Sequence, residues 1–330
     1  MIPDEKLIDR IFNCSDEPGF NRIAIELFHF QYNNNAIYRR YCELLHAKPA
    51  EITSFREIPF LPISFFRSFQ IKSTATETQV VFSSSGTTAE NPGQHYVTDL
   101  SVYERSFLNS FSRFYGKVSD YCILALLPSY LERSGSSLIY MTEKLIEAGG
   151  NADSGFYLNN FEQLHQKLNL MKRTKQKTIL LGVSYALLDF AKEYPVDFPE
   201  LIVMETGGMK GRRKEMIREN LHSLLCEGFG VKQIHSEYGM TELLSQAYSK
   251  GHGIYYPPPW MKVLIRDTYD PLSLVGDNIT GGINIIDLAN IYSCSFIAVQ
   301  DLGKTKADGS FEVLGRFDQS QMRGCNLMVS

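Results

Sequence analysis

The sequence predicts an α/β protein with a largely parallel sheet and a β-rich portion after it, on three observations. Between about 78 and 235, short apolar runs alternate with helical patterns, as expected of strands buried by helices. Beyond 251 the texture changes to short strand candidates separated by Gly, Asp and Pro turns. Near the start of the first region, five hydroxyl side chains (Ser83, Ser84, Ser85, Thr87, Thr88) surround Gly86 directly after the apolar run Val80-Val81-Phe82. That third feature marks a strand-to-loop corner, where an α/β sheet meets its ligands.

Residues 1–55 read as amphipathic helices, with Phe20, Ile23, Ala24, Leu27 and Phe28, then Tyr38, Tyr41, Leu44 and Leu45 at helical spacing. Segment 58–63, Ile-Pro-Phe-Leu-Pro-Ile, is extended, because each proline biases its predecessor away from the α region. The runs 121–127, 178–183, 201–205 and 231–235 are expected strands. Segments 137–148 and 214–225 are expected helices, the second with Ile217, Leu221, Leu224 and Leu225 on one face. Phe161, Leu164, Leu168 and Met171 mark another helix. The basic run from Lys172 to Lys177 then reads as its solvated last turn, where cations complement the helix dipole. In the final portion 261–265, 282–287, 296–299 and 311–314 are strand candidates. These textures divide the chain into a helical segment at 1–77, an α/β core at 78–250 and a β-rich subdomain at 251–330.

A length of 330 residues is ample for a substantial core, and 44% hydrophobic with 21% charged residues is ordinary for a globular protein. A net charge of −4 and a pI near 6.0 give no electrostatic reason to expect nucleic-acid binding. The six cysteines are scattered, with no Cys-x-x-Cys and no Cys/His cluster at metal-ligand spacing. That pattern predicts reduced thiols rather than a disulfide or zinc scaffold. The first residues are too charged for a signal peptide, and no apolar run reaches a membrane span. The expectation is a cytoplasmic protein.

The loop after Phe82 offers many neutral donors, close backbone approach and little bulk, which suits a triphosphate. It is not a Walker A loop, since Gly-x-x-x-x-Gly-Lys-Ser/Thr spacing occurs nowhere. Taken alone it is equally a solvated Ser/Thr/Gly turn. Four further segments bear on it. Glu205-Thr206-Gly207-Gly208 lies at the carboxyl end of an expected strand, where paired glycines let a flat ligand lie against bare backbone. In Ser236-Glu237-Tyr238-Gly239-Met240-Thr241-Glu242, an exposed Tyr238 suits a purine, Thr241 a phosphate, and Glu242 a Mg²⁺ ion against phosphate oxygens. His235 is read as a satisfied residue at a strand end. Asp301-Leu302-Gly303 offers a carboxylate to ribose hydroxyls or is an ordinary turn. Gly315-Arg316-Phe317-Asp318 adds a guanidinium. Between 128 and 137 a polar loop with Arg133 leads into a helix that Ser134 or Ser136 can cap, an arrangement suited to a carboxylate or phosphate charge.

These segments, in this order, resemble the adenylate-forming superfamily of acyl-CoA synthetases, peptide-synthetase adenylation domains and luciferase-type enzymes. Ser84-Ser85-Gly86-Thr87-Thr88 is similar to its phosphate loop, and Tyr238-Gly239-Met240-Thr241-Glu242 to its Tyr-Gly-x-Thr-Glu segment. Asp301-Leu302-Gly303 resembles its ribose site and Gly315-Arg316-Phe317-Asp318 its hinge. The resemblance implies ATP and Mg²⁺ as cofactors. It implies that the hydroxyl loop holds the phosphates, Tyr238 flanks adenine, Thr241 touches the α-phosphate, Glu242 carries Mg²⁺, and Asp301 with Arg316 grips the ribose. Two departures stand out. Asn91-Pro92-Gly93-Gln94 lacks the lysine usual after the proline, and the chain ends at Ser330, before the small mobile domain most members carry.

That shorter architecture, with Ile58-Pro59-Phe60-Leu61-Pro62-Ile63, Leu127-Pro128-Ser129-Tyr130 and Met322-Arg323-Gly324-Cys325-Asn326-Leu327, resembles the acyl-protein synthetase (LuxE-like) family. The resemblance implies the large N-terminal domain of an adenylate-forming enzyme without the small C-terminal one. It also implies activation of a carboxylic, fatty acid as acyl-adenylate, with transfer to a cysteine near the C-terminus and on to a reductase or carrier partner. Cys325 is the expected acceptor: Arg323 favours thiolate and Gly324 allows close approach, while the residues alone leave a small buried hydrophobe open. A phenylacetate-type CoA ligase and a non-catalytic nucleotide-binding module are the alternatives.

Overall fold

Local chemistry sets where the first helices begin. Asp16 accepts a hydrogen bond from the Gly19 amide at 2.6 Å, and Pro18 occupies the first turn. In the computed structural model, which describes residues 5–84, 92–128, 135–158, 160–207 and 216–316, this cap opens α2 (Glu17–Asn34) after α1 (Glu5–Phe12). Asn35 ends α2 and caps α3 (Ala36–Leu44) by accepting from the Tyr38 amide at 3.0 Å. The 58–63 segment is extended as expected, with β1 at Leu61–Pro62, and a single turn α4 (Phe65–Ser68) follows. The chain forms two compact units, residues 1–75 with 259–330, and residues 76–258.

The second unit opens with a hairpin, β2 (Val80–Ser83) against β3 (Gln94–Val97), and then α5 (Leu100–Tyr115). There follow β4 (Cys122–Leu126), α6 (Ser137–Gly149), β5 (Gly155–Tyr157), α7 (Phe161–Thr174), β6 (Thr178–Val183) and α8 (Ser184–Glu193). Then come β7 (Ile202–Thr206), α9 (Arg218–Phe229), β8 (His235–Tyr238), β9 (Ala247–Ser249) and β10 (Ile254–Tyr255). The sheet runs β5-β4-β6-β7-β8-β9, parallel except for β9.

Side chains alternate between its faces. Leu124, Leu180 and Val203 join one apolar core with Leu164, Leu168, Phe190, Leu225 and Phe229 of α7, α8 and α9. The register aligns Ile123 with Ile179, Leu181 with Met204 and Met204 with His235 on the other face. Two expected elements shift. The helix expected at 214–225 is described from Arg218 to Phe229, and the strand expected at 231–235 starts only at His235. The cause is helix termination: Gly230 adopts φ +65°, and the Val231 amide bonds back to the Cys226 carbonyl.

In the first unit, β11 (Met261–Arg266), β12 (Leu274–Val275), β13 (Gly281–Asp287), β14 (Phe296–Thr305) and β15 (Phe311–Arg316) form an antiparallel sheet ordered β15-β14-β13-β11-β12, with β1 parallel to β14. Helix α2 is tied to it by buried Gln31, whose amide donates to the carbonyls of Asn290 and Ile291 and accepts from the Ser295 amide.

Candidate active site

The hairpin β2–β3 presents the hydroxyl loop, and its neck is built by one serine. Ser84 donates its amide to the Gly93 carbonyl at 2.9 Å, and its Oγ accepts from the Gly93 amide at 2.8 Å. A bond in each direction fixes the loop ends together, and the Ser84 hydroxyl keeps its own proton to donate. Gly93 is needed for a second reason. A Cβ there would lie 2.4 Å from Glu242 Oε1 and 3.3 Å from Ser84 Oγ. The loop neck and the Glu242 carboxylate therefore meet across bare backbone.

Thr241 and Glu242 occupy the two central positions of a turn closed by the Leu243 amide on the Met240 carbonyl at 3.1 Å. Buried His95 of β3 secures that turn by donating Nδ1–H to the Thr241 carbonyl at 2.8 Å. A carbonyl only accepts, so this bond puts the proton on Nδ1. Ser106 of α5 holds the same segment from below through Ser245, Oγ to Oγ 3.0 Å. No sequence motif marked His95. Its one signal is register, since it faces Phe82 across the hairpin that carries the loop.

Two buried carboxylates lie at the carboxyl ends of adjacent strands. Glu205 of β7 accepts from Ser184 (2.7 Å), Ser236 (3.1 Å) and His222 Nε2 (3.3 Å). Ser184 also reaches the Gly207 carbonyl at 2.9 Å, which ties the Glu205-Thr206-Gly207 corner to the start of α8. Burial alone pushes the Glu205 carboxyl up. Hydrogen bonds from His222 and Ser184, with the fields of His222 and Arg218, outweigh it and hold the group below its ordinary value. Glu237 of β8 faces the other side and, among the described residues, accepts one hydrogen bond, from the Thr206 hydroxyl. Burial drives it up to about 7 despite that bond.

Glu205→Ala leaves three buried donors without their acceptor and is expected to cost about 3 kcal/mol. Urea unfolding at neutral pH should show a lower midpoint at unchanged slope; an unchanged midpoint would deny the network its structural role. A depressed folded value means that the ionic contribution is complete above the unfolded carboxyl, about 4.3, and is lost as pH falls through the folded one. The gap between wild type and variant should therefore narrow in acid.

Of the residues singled out from the sequence, Ser84, Gly207, Tyr238, Thr241 and Glu242 lie in the second unit, and all belong to loops or strand ends at this edge. Tyr238 is a correction: it is 9% exposed, its ring 5.7 Å from that of Tyr255, because its position in β8 turns it into the sheet. In the first unit Asp301 and Arg316 are direct cross-strand partners on β14 and β15. Asp301 thus lies inside a strand rather than in a turn. Ser85, Gly86, Thr87, Thr88, Gly208 and Cys325 lie outside the described residues, as do Arg133 and Ser134. Ser136 caps α6, accepting from the Ile139 amide at 3.3 Å. His235 is hydrogen-bonded to Tyr115 at 3.1 Å and pushed down to about 4, first by burial and then by Lys250, so it is neutral and satisfied. Cys14, Cys42, Cys122 and Cys294 are buried and Cys226 half-buried, consistent with packing. Among the described residues no three His, Cys, Asp or Glu side chains gather to hold a metal ion, and no helix is long and apolar enough to cross a membrane.

Residues 10–330 match the acyl-protein synthetase (LuxE) family. The long-chain-fatty-acid–luciferin-component ligase of Vibrio harveyi is 22% identical over 350 aligned positions, covering 94% of this chain and 87% of that protein. Among solved structures, 2-hydroxyisobutyryl-CoA ligase with its acyl-AMP and CoA superposes with TM-score 0.67 at 13% identity, covering 92% of this chain and 70% of that one. ATP-bound MatB from Rhodopseudomonas palustris gives 0.55 at 16% identity over 74% of this chain, which spans about half (49%) of that protein. The fold is that of the adenylate-forming enzymes.

Proposed function

The chain belongs to the acyl-protein synthetase (LuxE) family, and from that premise we propose that it joins a fatty acid to a thiol through an acyl-adenylate. The observation that carries the reading is the meeting of the Ser84–Gly93 neck with Thr241 and Glu242. The Glu242 carboxylate and the Ser84 hydroxyl converge on bare backbone at Gly93, where phosphate charge would lie.

The residues fit ATP and Mg²⁺. The cradle at Gly93 is one that a Cβ would fill, and a single carboxylate suits Mg²⁺, which keeps phosphate oxygens and waters for its other positions. Glu242 would hold the ion, which when bound supplies positive charge to the phosphates. Ser84, Ser85, Thr87 and Thr88, with the Gly86 backbone, hold the phosphates in place of the missing loop lysine. Thr241 meets the α-phosphate; Gly207 and Gly208 border the adenine; Asp301 and Arg316 take the ribose. An acid oxygen attacks the α-phosphorus, its bond to the bridging oxygen breaks, and pyrophosphate leaves. The thiolate of Cys325 then attacks the acyl carbon, the C–O bond to the phosphate breaks, and AMP departs. A reductase or carrier protein takes the acyl group next. The fatty character of the acid is supported by the relative from Vibrio harveyi.

Pyrophosphate release with ATP and Mg²⁺, screened over straight-chain acids of rising length, should single out an acid class, and intact-protein mass spectrometry should show its acyl adduct. If no acid yields pyrophosphate, the reading fails. Release of acyl-CoA with no protein adduct would instead make the chain a CoA ligase.

A further inference from the structure

The strand that carries Asp301 is irregular where Asp301 sits. Gly282 of β13 pairs with Leu302 and Asn284 with Ala298, so Ile283 alone stands opposite Val299, Gln300 and Asp301 of β14. On the other side Leu302 pairs with Gly315 and Gly303 with Val313. That leaves Leu314 of β15 as an extra residue, beside Gly315 at φ +141°. Asp301 and its partner Arg316 therefore lie where two bulges flank one strand. A bulge re-aims side chains by giving up ladder hydrogen bonds, which other groups must then replace.

Arg266, the last residue of β11, fills the first of these bulges. Its Nη1 donates to the Ile283 carbonyl and to Asn284 Oδ1 at 2.9 Å, and its Nη2 to the Val299 carbonyl at 2.6 Å. The guanidinium thus joins the single residue on one side of the bulge to the first of three on the other. Gly282 makes room for it: a Cβ there would lie 2.5 Å from Arg266 Cζ and 2.6 Å from Nε. A planar fork spans three such acceptors at once, which the point charge of a lysine does not. Arg266 stands opposite Gly282, and Gly282 opposite Leu302. Side chains alternate along a strand, so Arg266 and Asp301 belong to opposite faces of the sheet.

We propose that Arg266 is a positioning residue for Asp301: it holds the β14 bulge that aims the Asp301 carboxylate at the ribose, and acts through the backbone without touching the nucleotide. The proposal rests on the acyl-adenylate reading for the ribose as the ligand of Asp301. An unbulged ladder would serve the sheet better, since it keeps its hydrogen bonds and needs no charged group to mend it. The bulge also fixes register, and a slip of one residue would carry Asp301 to the other face. Arg266 prevents that slip by tying Val299, two residues before Asp301, to Ile283.

The test is calorimetric binding of ATP, 2′-deoxy-ATP and 3′-deoxy-ATP to the full chain, alongside pyrophosphate release over straight-chain acids. Wild type should prefer ATP to at least one deoxy form by about ten- to a hundredfold, the worth of a hydrogen bond to a charged group. Arg266→Gln should weaken ATP about tenfold and the disfavoured deoxy form hardly at all, so that the preference collapses. The KM for ATP should rise in step while kcat stays within about twofold, and Arg266→Gln should add nothing to Asp301→Ala. Gly282→Ala keeps the arginine but drives its guanidinium off the bulge, and it keeps the proposal testable if Arg266→Gln fails to fold. It should lose the same preference. A preference lost in Asp301→Ala but kept in Arg266→Gln and Gly282→Ala overturns the proposal and leaves the reading standing. Equal weakening of all three nucleotides in those two variants does the same, since it marks general damage to the sheet. A wild type without the preference, or an Asp301→Ala variant that retains it, denies Asp301 the ribose and takes the proposal with it. A preference that needs both Asp301 and Arg266, with no pyrophosphate from any acid, leaves Arg266 standing and overturns the acyl-adenylate reading instead.

Discussion

Glu242→Ala is expected to lower acid-dependent pyrophosphate release by about a hundred- to a thousandfold, the usual effect of deleting one preorganised electrostatic partner of a developing phosphate charge. Glu242 is buried, set at the second central position of a tight turn, and faces the bare Cα of Gly93. A carboxylate so placed cannot swing aside to be replaced by water, so its loss should appear in kcat more than in the KM for the acid. Its neighbours make the effect local. His95 still holds the Thr241 carbonyl and Ser84 still closes the loop neck in the variant, so the urea midpoint should move far less than the rate. Glu242→Gln, which keeps the shape and loses the charge, should be nearly as slow as the alanine variant. Wild-type rates in either would sink the assignment of Glu242 to the metal. Gly93→Ala offers a second route to the same residue. Its methyl would press on Oε1, and a fall in rate of about tenfold with the fold intact is expected.

The sheet was legible wherever one physical signal acted alone. Thr178–Val183 is six buried residues in a row, without a charge and apolar from Ile179 onward, as expected of a strand covered on both faces. The same logic failed at 231–235, because a glycine in the left-handed region draws the following residues into the helix end, and hydropathy does not register that. Tyr238 failed for a related reason. A Tyr-Gly corner reads as a loop, yet the strand begins late and Tyr238 is its last, buried residue. The chemistry of the edge was legible as motif: Ser84, Thr241 and Glu242 do lie at this edge of one unit, and Asp301 and Arg316 face each other in the other. What holds these residues was not. His95, Ser184, His222 and Ser236 act through pairings 17 to 146 positions apart, and a sequence without its register has no means of bringing them together. Nothing in the sequence separated Glu205, at the end of an expected strand, from Glu237, although they are buried on opposite faces of one sheet with opposite electrostatic fates.

Cys325→Ser should separate the two half-reactions completely. Adenylation depends on phosphate contacts from the hydroxyl loop, Thr241 and Glu242, none of which involves a thiol, so pyrophosphate release in a single turnover should stay at the wild-type rate. Acyl transfer needs a sulfur nucleophile, and a serine hydroxyl, with a pKa far above that of a thiol and no base assigned to it, should not replace it. Intact-protein mass spectrometry with ATP, Mg²⁺ and the preferred acid should therefore show the acyl mass on wild type and none on the variant. Hydroxylamine should remove it from the wild type, as expected of a thioester. The five remaining cysteines make the control informative. Cys14, Cys42, Cys122, Cys226 and Cys294 are all raised, chiefly by burial, which suppresses thiolate and with it nucleophilicity. Labelling that persists in Cys325→Ser would thus require a thiol that the structure makes unreactive, or an acceptor that is not a cysteine. Either result would overturn Cys325 as acceptor and leave the adenylation half of the proposal intact.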